Sequence, residues 1–571
     1  GIVSAAGMAL LAVFLFTDGF DDHYRDRYLA LRETAPQSLD TLESSLGLGP
    51  YTVAAVDYGT EEGLVSDTVS LTSFVSRSSD KENGAYAGWY LDYPLSAVPL
   101  VGRVWYPVEA ENCPVLFIAH GNHEITVDSY LGYDYLGEYL ASHGYVVVST
   151  DHNACNLLYN ENDGRAVLLL EHIGQVLQYN ETAGNPLAGK IDPDNIAIGG
   201  HSRGGEMAAT AHLFNQYDRY PENGSVTFDY HYSIRSVIAI APTVNQYKPA
   251  DHSVQIEDVN YLLLHGSNDR DVTSFMGMAQ YENVTFSGEG DYLKTALYIA
   301  GANHGQFNTL WGDWDQSAPF AALLNTESLL SAGDQQAVAR TFIKVFLDVT
   351  LRGDDSCRQL LTDWDSCAAQ LPPTVYYQCY ETSDFSLVAD FEEDSDLETL
   401  SLAGAAVETE GLPLWTEELV DFANASSYGT HALRITTSSL GSRYAISLPE
   451  AVDLTGMAVS FDAMDVDEEA VEEGDYRLTD LQVVLTDAAG RTAAAQVSSD
   501  DLIYPGLPVR YDKLDYVFGS CTVKTAFETV TLPLDAFAAE EGFDESQVVS
   551  VTFAFDQHRE LMLDNIGFTS P

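Results

Sequence analysis

Asn195-Ile196-Ala197-Ile198-Gly199-Gly200-His201-Ser202-Arg203-Gly204-Gly205-Glu206-Met207-Ala208-Ala209 is the stretch that decides the fold. Its first four residues form an apolar run of strand length, its middle is a glycine-flanked turn, and its end opens a helical stretch that continues to Phe214. A serine on so sharp a strand-to-helix turn leaves little room for side chains two residues before and two after it, and glycine stands at both places, 200 and 204. The pattern predicts a strand, an elbow and a helix, with Ser202 at the apex.

Outward from the elbow the same alternation repeats. Apolar runs occur at 114–119 (Pro-Val-Leu-Phe-Ile-Ala), 145–150 (Tyr-Val-Val-Val-Ser-Thr), 236–241 (Ser-Val-Ile-Ala-Ile-Ala), 261–264 (Tyr-Leu-Leu-Leu) and 296–301 (Ala-Leu-Tyr-Ile-Ala-Gly), each followed by a Gly- or Asp-bearing loop. Strands this uniformly apolar must be covered on both faces, as a parallel sheet between helices provides. Two stretches supply covering helices: Ala166, Leu169, Leu170, Ile173, Val176 and Leu177 make one apolar stripe, and Val338, Phe342, Val345, Phe346 and Val349 make another. The expected class is α/β, a doubly wound, mostly parallel sheet over residues 51–375.

Past Leu371-Pro372-Pro373 the period becomes two. Met457, Val459, Phe461 and Ala463 alternate with small or polar partners, as do Val530, Leu532 and Leu534, and Val549, Val551, Phe553 and Phe555. One wet and one dry face per strand predicts a separate, all-β antiparallel sandwich over 380–571. Residues 19–50, charged and Leu-bearing, read as a helical stem. Residues 1–17 carry no charge until Asp18 and no initiator Met or basic residue precedes them, so 1–18 is expected to be the remainder of a signal sequence or membrane anchor. A secreted or membrane-anchored, extracytoplasmic protein follows from that expectation.

The 571 residues hold 26 Lys and Arg against 86 Asp and Glu, a net charge of −60, and 46% are hydrophobic, enough for full cores in two or three domains. A field of that sign repels phosphate backbones, so no nucleic-acid partner is expected. Residues 376–571 alone contribute 38 acidic and 8 basic side chains. The acidic run 465–475 reads as a solvated loop, with calcium binding as the lesser alternative. The six cysteines, at 113, 155, 357, 367, 379 and 521, include no CxxC pair, which argues against a zinc cluster; a Cys357–Cys367 bridge and six free thiols both remain open.

A serine hydroxyl is a poor nucleophile until a base takes its proton, and the base needs a carboxylate to fix its tautomer. Chain order and strand-end position select the partners. The run 261–264 leads into His265-Gly266-Ser267-Asn268-Asp269-Arg270-Asp271, which delivers Asp269, with Asp271 as the rival acid; the run 296–301 leads into Ala302-Asn303-His304-Gly305. The catalytic set is expected to be Ser202, Asp269 and His304. Two backbone N–H groups must face the oxyanion, and those of Arg203 and Asn122 are the candidates, the latter in the loop His120-Gly121-Asn122-His123. His120 and His123 are expected to shape that loop rather than bind a metal, and Asp151 to be a solvated loop acid. Because the base must be neutral, activity is expected to fall below a pH of about 6.5.

The elbow at 200–205, the Ile-Ala-His-Gly-Asn loop at 118–122, His-Gly-Ser-Asn-Asp at 265–269 and Gly-Ala-Asn-His-Gly at 301–305 together resemble the α/β-hydrolase superfamily over about residues 51–352. Within it the chain looks most like the branch of cutinase-type polyesterases, chlorophyllases and secreted acetylhydrolases. The resemblance implies an eight-stranded sheet, a Ser-His-Asp triad acting on an ester substrate through an acyl-enzyme, and no catalytic cofactor or metal. Arg203 stands where that branch often has Met or Gln, and a long segment holding Trp311 and Trp314 follows His304, read either as a lid or acyl wall or as packing. The alternatives are a glycan-binding surface protein with an inactive hydrolase domain, and a serine peptidase of the same fold. Ala-Asp-Phe-Glu at 389–392 and Leu-Asp-Asn-Ile-Gly-Phe at 563–568 resemble the opening and closing strands of galactose-binding-like jelly-roll modules, which implies a carbohydrate ligand and a structural calcium at Glu392 and Asp564. The ligand face is not named by the sequence: the region holds one tryptophan, Trp415, with Tyr444, Tyr504 and Tyr511 as further aromatics open to a sugar, and a structural or docking role is the alternative to sugar binding.

Overall fold

A computed structural model describes residues 14–32, 34–288, 290–423, 429–497 and 503–570. Most of the apolar run that opens the sequence, residues 1–13, lies outside the described residues. Among the described residues, no helix is long and apolar enough to cross a membrane.

The protein is mixed α/β with large sheets and a β-rich C-terminal region. Nine strands form the main sheet: β1 (Val53–Tyr58), β2 (Gly102–Pro107), β3 (Cys113–Ala119), β4 (Val146–Thr150), β5 (Ile191–His201), β6 (Ile234–Ile240), β7 (Asn260–Gly266), β8 (Leu293–Ile299) and β9 (Tyr376–Thr382). Their spatial order is β1-β2-β4-β3-β5-β6-β7-β8-β9. Neighbours from β4 through β8 are parallel, whereas β1, β2 and β9 run antiparallel to their partners. Every residue of β4, β7 and β8 is buried, as the apolar runs require. A buried Val, Leu or Ile contributes about 1.5–3 kcal/mol relative to exposure, so these strands lock the sheet between its helices. The helices Asn162–Glu181, Arg203–Gln216 and Ala332–Arg352 do the covering.

The sheet has one strand more than the resemblance implies. β9 pairs along its whole length with β8, Leu293 opposite Thr382 through Ile299 opposite Tyr376. Counted with its sheet, β9 carries the α/β region to Thr382, so the change of pattern comes after this strand and not at the Pro372-Pro373 hinge.

Beyond β9 stand two six-stranded sheets whose pairings are all antiparallel. Burial alternates along Leu481–Asp487 and over 550–555 of the strand Val548–Phe555, matching the two-residue period there, while the expected dry-face Val549 is only partly buried. Phe461 from one sheet meets Phe553 from the other edge-on at 5.0 Å, inside a core drawn from both sheets.

Beside its own core, this region packs against the main sheet. Val420, Phe422, Ala432, Met464, Tyr504, Leu507, Phe527 and Met562 belong to the same buried cluster as the main sheet. The expected stem also packs inward: its helices are short, Tyr24–Leu29 and Asp40–Leu46, and bury Tyr24, Tyr28 and Leu42. The acidic run 465–475 forms a helix, Glu468–Glu473, where a loop was expected. Asp467 accepts from the Ala470 amide, and Glu468 and Glu469 sit in the first turn, where negative charge favours a helix start. All six cysteines are free thiols.

Candidate active site

β5 runs into Ser202, which takes φ 60° and ψ −126°, and the helix Arg203–Gln216 begins at the next residue. A non-glycine residue held there costs on the order of 1–3 kcal/mol, and the surroundings hold it. The Ser202 amide donates to the Ile240 carbonyl at 2.8 Å, tying the elbow to β6. A Cβ on Gly200 would stand 2.2 Å from the Gly204 carbonyl oxygen, and one on Gly204 would stand 2.6 Å from that of Ala119. Glycine at both positions is therefore a matter of space.

The loop after β3 lies directly on Ser202. A Cβ on Gly121 would come within 2.5 Å of the Ser202 Cβ and 3.0 Å of its hydroxyl. His120 Nε2 accepts from the His152 amide at 2.9 Å, so the neutral ring carries its proton on Nδ1, which donates to the Gly121 carbonyl at 2.8 Å. Asn122 is held through its side chain, whose Oδ1 accepts from the Leu157 amide at 2.7 Å. Among the described residues, no protein acceptor takes the amide N–H of Asn122 or of Arg203. Asp151 is part-buried, accepting from the Asn153 amide and lying 3.3 Å from His120 Nε2. No group of three or more His, Cys, Asp or Glu among the described residues is placed to hold a metal ion.

The Arg203 side chain turns away from the site and joins a network that the sequence did not announce. Its guanidinium donates to Glu161 Oε1 at 2.8 Å and to the Leu158 carbonyl at 2.9 Å. The same carboxylate oxygen takes Arg165 Nε at 3.0 Å, and Arg165 reaches the His120 carbonyl and Asn156. Glu161 thus joins the residue after Ser202 to the loop that faces it. The signal available in sequence was Glu-x-x-x-Arg on a helix, too common to single out.

The other half of the site stands at the ends of β7 and β8. Asp269 is 1% exposed; its Oδ1 accepts the amides of Asp271 and Val272, and its Oδ2 takes His304 Nδ1 at 2.7 Å. The rival Asp271 approaches the opposite nitrogen: its half-exposed carboxylate lies 3.5 Å from His304 Nε2. That Nε2 is buried and makes no hydrogen bond. His304 packs beside His201, the residue before Ser202, with ring centres 4.7 Å apart. Burial lowers the imidazole's proton affinity, but the carboxylates of Asp269, then Asp271 and Asp315, outweigh it and raise the pKa to about 9. That is above the 6.5 assumed from sequence.

Asp315, which no motif in the sequence marks, binds the loops of both Asp269 and His304. Its Oδ2 accepts the amides of Arg270 and His304, each at 3.0 Å, and its Oδ1 accepts the Gly305 amide at 2.9 Å and Asn303 Nδ2 at 2.8 Å. Burial, with the neighbouring Asp269 charge, raises its pKa to about 7. Trp311 lines the same place. Its ring stacks on His123 at 4.8 Å, lies 4.5 Å from His201 and 6.0 Å from His304, and its Nε1 donates to Ser129. Trp314 is 63% exposed.

In the C-terminal region the aromatics open to a sugar mostly turn inward. Tyr444 and Tyr504 are fully buried, Trp415 packs edge-on against Tyr444, and Tyr511 lies between Arg270 and Lys524. The two residues expected at calcium are engaged differently: Glu392 accepts the His431 amide and faces its ring, while Asp564 stands opposite Asp462 in neighbouring strands.

Comparison with known proteins adds one finding at the elbow side. A family model described as PETase, PET hydrolase-like, matches residues 100–216. The matched stretch holds Asn122, Ser202 and Arg203 and stops before Asp269 and His304. This part of the chain is similar to PET hydrolases, which supports an ester hydrolase built on the α/β-hydrolase fold. No curated protein matches the chain.

Proposed function

We propose that the protein is a serine hydrolase of carboxylic esters. Ser202 attacks the ester carbonyl as His304 takes its proton, Asp269 holds the imidazole and stabilises its cation, and the amides of Asn122 and Arg203 receive the oxyanion. The alcohol leaves with the proton from His304, and water repeats the sequence on the acyl-enzyme. The observation that carries this reading is a serine at positive φ on a strand-to-helix elbow together with a buried Asp269–His304 pair whose imidazole packs on His201, the residue before that serine. The family match supports the ester class and makes a polyester or its oligomers the first substrate to try.

The C-terminal region is proposed as a jelly roll whose first and last strands lie together, a reading supported by the pairing of Ser386–Ala389 with Glu560–Thr569. A carbohydrate ligand and a structural calcium there, and an extracytoplasmic location resting on the apolar run of residues 1–17, belong to the same proposal. The catalytic core is tested directly. A fluorophosphonate should label Ser202, and Ser202→Ala should lose hydrolysis of nitrophenyl esters by a factor on the order of 10⁴ or more. Parent-like turnover by Ser202→Ala would end the reading.

A further inference from the structure

Between the strands Thr492–Val497 and Glu528–Pro533, the C-terminal region sends an excursion, residues 503–527, back to the main sheet. It contains a hairpin of Leu507–Val509 with Thr522–Lys524 and a capped helix, Lys513–Phe518. Its side chains land on the loop that carries Asp269. The Tyr511 hydroxyl lies 3.3 Å from the Ser267 carbonyl and 3.2 Å from that of Thr273, the two ends of the loop. Lys524 Nζ donates to the Thr273 carbonyl at 2.7 Å and to Ala423 at 2.9 Å. Arg270, inside the loop, sits over the Tyr511 ring and 3.4 Å from Asp512. The excursion also touches the segment after His304, where the Asn325 amide donates to the Tyr511 carbonyl and Lys513 Nζ to that of Ala322.

A buried backbone carbonyl needs a donor, and the ends of the acid loop take theirs from a part of the chain more than two hundred residues away. Lys524 is a costly donor. Its ammonium is largely buried, which lowers its pKa to about 8, and it is compensated by the two carbonyls, the Tyr511 ring at 5.4 Å and the charges of Asp421 and Asp269. Through these contacts the position of the Asp269 carboxylate depends on the docking of the C-terminal region. A misplacement of about 1 Å in a catalytic group can cost up to a hundredfold in rate.

We propose that residues 503–527 of the C-terminal region are a positioning element of the active site, in which Tyr511 and Lys524 hold the backbone of the acid loop so that Asp269 stays on His304 Nδ1. The inference rests on the ester-hydrolase reading for its kinetic consequence and on the loop contacts for its structural one. The test uses the full-length chain carrying Tyr511→Phe, Lys524→Met and both together. The double variant should lower kcat for a soluble nitrophenyl ester by about tenfold with KM nearly unchanged. It should also move the acid limb of kcat/KM to lower pH, because His304 loses part of the influence of Asp269, the largest of the charges from Asp269, Asp271 and Asp315 that face it. Hydrogen exchange at the amides of Asp271 and Val272, which donate to Asp269, should quicken. Lys524→Arg should restore most of the rate.

A folded double variant with parental kcat, acid limb and exchange would overturn the proposal. If the double variant does not fold, Tyr511→Phe, which removes a single oxygen, decides it on the same readouts. Should the parent hydrolyse no ester and resist the fluorophosphonate, the ester reading fails by itself, and exchange at 271 and 272 alone decides whether the excursion positions Asp269.

Discussion

The two halves of the candidate site are built differently. The Ser202 half is made by contiguous backbone: β5, a strained serine and a helix, with glycine wherever a Cβ would strike the Ala119 or Gly204 carbonyl. The Asp269–His304 half is assembled from loops whose backbone groups bond to distant chain, to Asp315 on one side and to Tyr511 and Lys524 on the other. A geometry fixed by local sterics needs few partners and tolerates little change. A geometry fixed by remote hydrogen bonds can be weakened one bond at a time.

Breaking the local half should have the larger effect. In Gly121→Ala the new methyl would stand 2.5 Å from the Ser202 Cβ and 2.7 Å from the His201 carbonyl oxygen, and neither can yield without moving the elbow or the loop that faces it. The Asn122 and Arg203 amides would part, so kcat/KM should fall by roughly a hundredfold or more. Ester kinetics beside a thermal melt checks this. A folded variant within about threefold of the parent would show that loop and elbow are not in the contact described.

The remote half should give more gently. Asp315→Asn keeps the shape of the side chain but leaves one acceptor oxygen where two now serve Arg270, Asn303, His304 and Gly305. Donors left facing the new amide cost about 1–3 kcal/mol each, and the loops of Asp269 and His304 should drift relative to each other. The expected result is a kcat lower by roughly ten- to a hundredfold, a KM close to the parent and a lower melting temperature. Full parental kcat in a folded variant would count against a positioning role for Asp315.

The same contrast explains what could be read in the sequence. Ser202, its flanking glycines and the parallel strands follow from contiguous patterns, because tight turns and two-sided burial constrain residue types within a short window. Asp269 and His304 could be chosen by their place after apolar runs. Asp315 could not, because it lies in an irregular stretch among 86 acidic residues and its role appears only when two strand ends meet. The packing of the C-terminal region against the main sheet was equally hidden. β9 carries too little alternation to declare its partner, and Tyr504 and Tyr511 read as surface aromatics, whereas one is buried and the other packs on the acid loop.

The smallest expected effect concerns the carboxylate on the far side of the base. Asp271 faces His304 Nε2 at 3.5 Å but is 55% exposed, so water and salt screen its charge. It is one of the charges that raise the imidazole pKa to about 9 against burial, so its removal lowers that pKa and leaves the base neutral at lower pH. In Asp271→Asn the acid limb of kcat/KM should move down by roughly half a pH unit, with the plateau rate changed less than about threefold. The stability sign is linked to the same group. A raised histidine pKa stabilises the fold below about 6.5, and that contribution fades as pH climbs toward about 9, so the variant should lose a little melting temperature at pH 6 and almost none at pH 9.5. The displacement of the limb should shrink as salt is added, whereas Asp315→Asn, which acts through buried hydrogen bonds, should show the same loss of kcat at every ionic strength. An acid limb in Asp271→Asn that stays in place at low salt would mean that the second carboxylate does not act on the base.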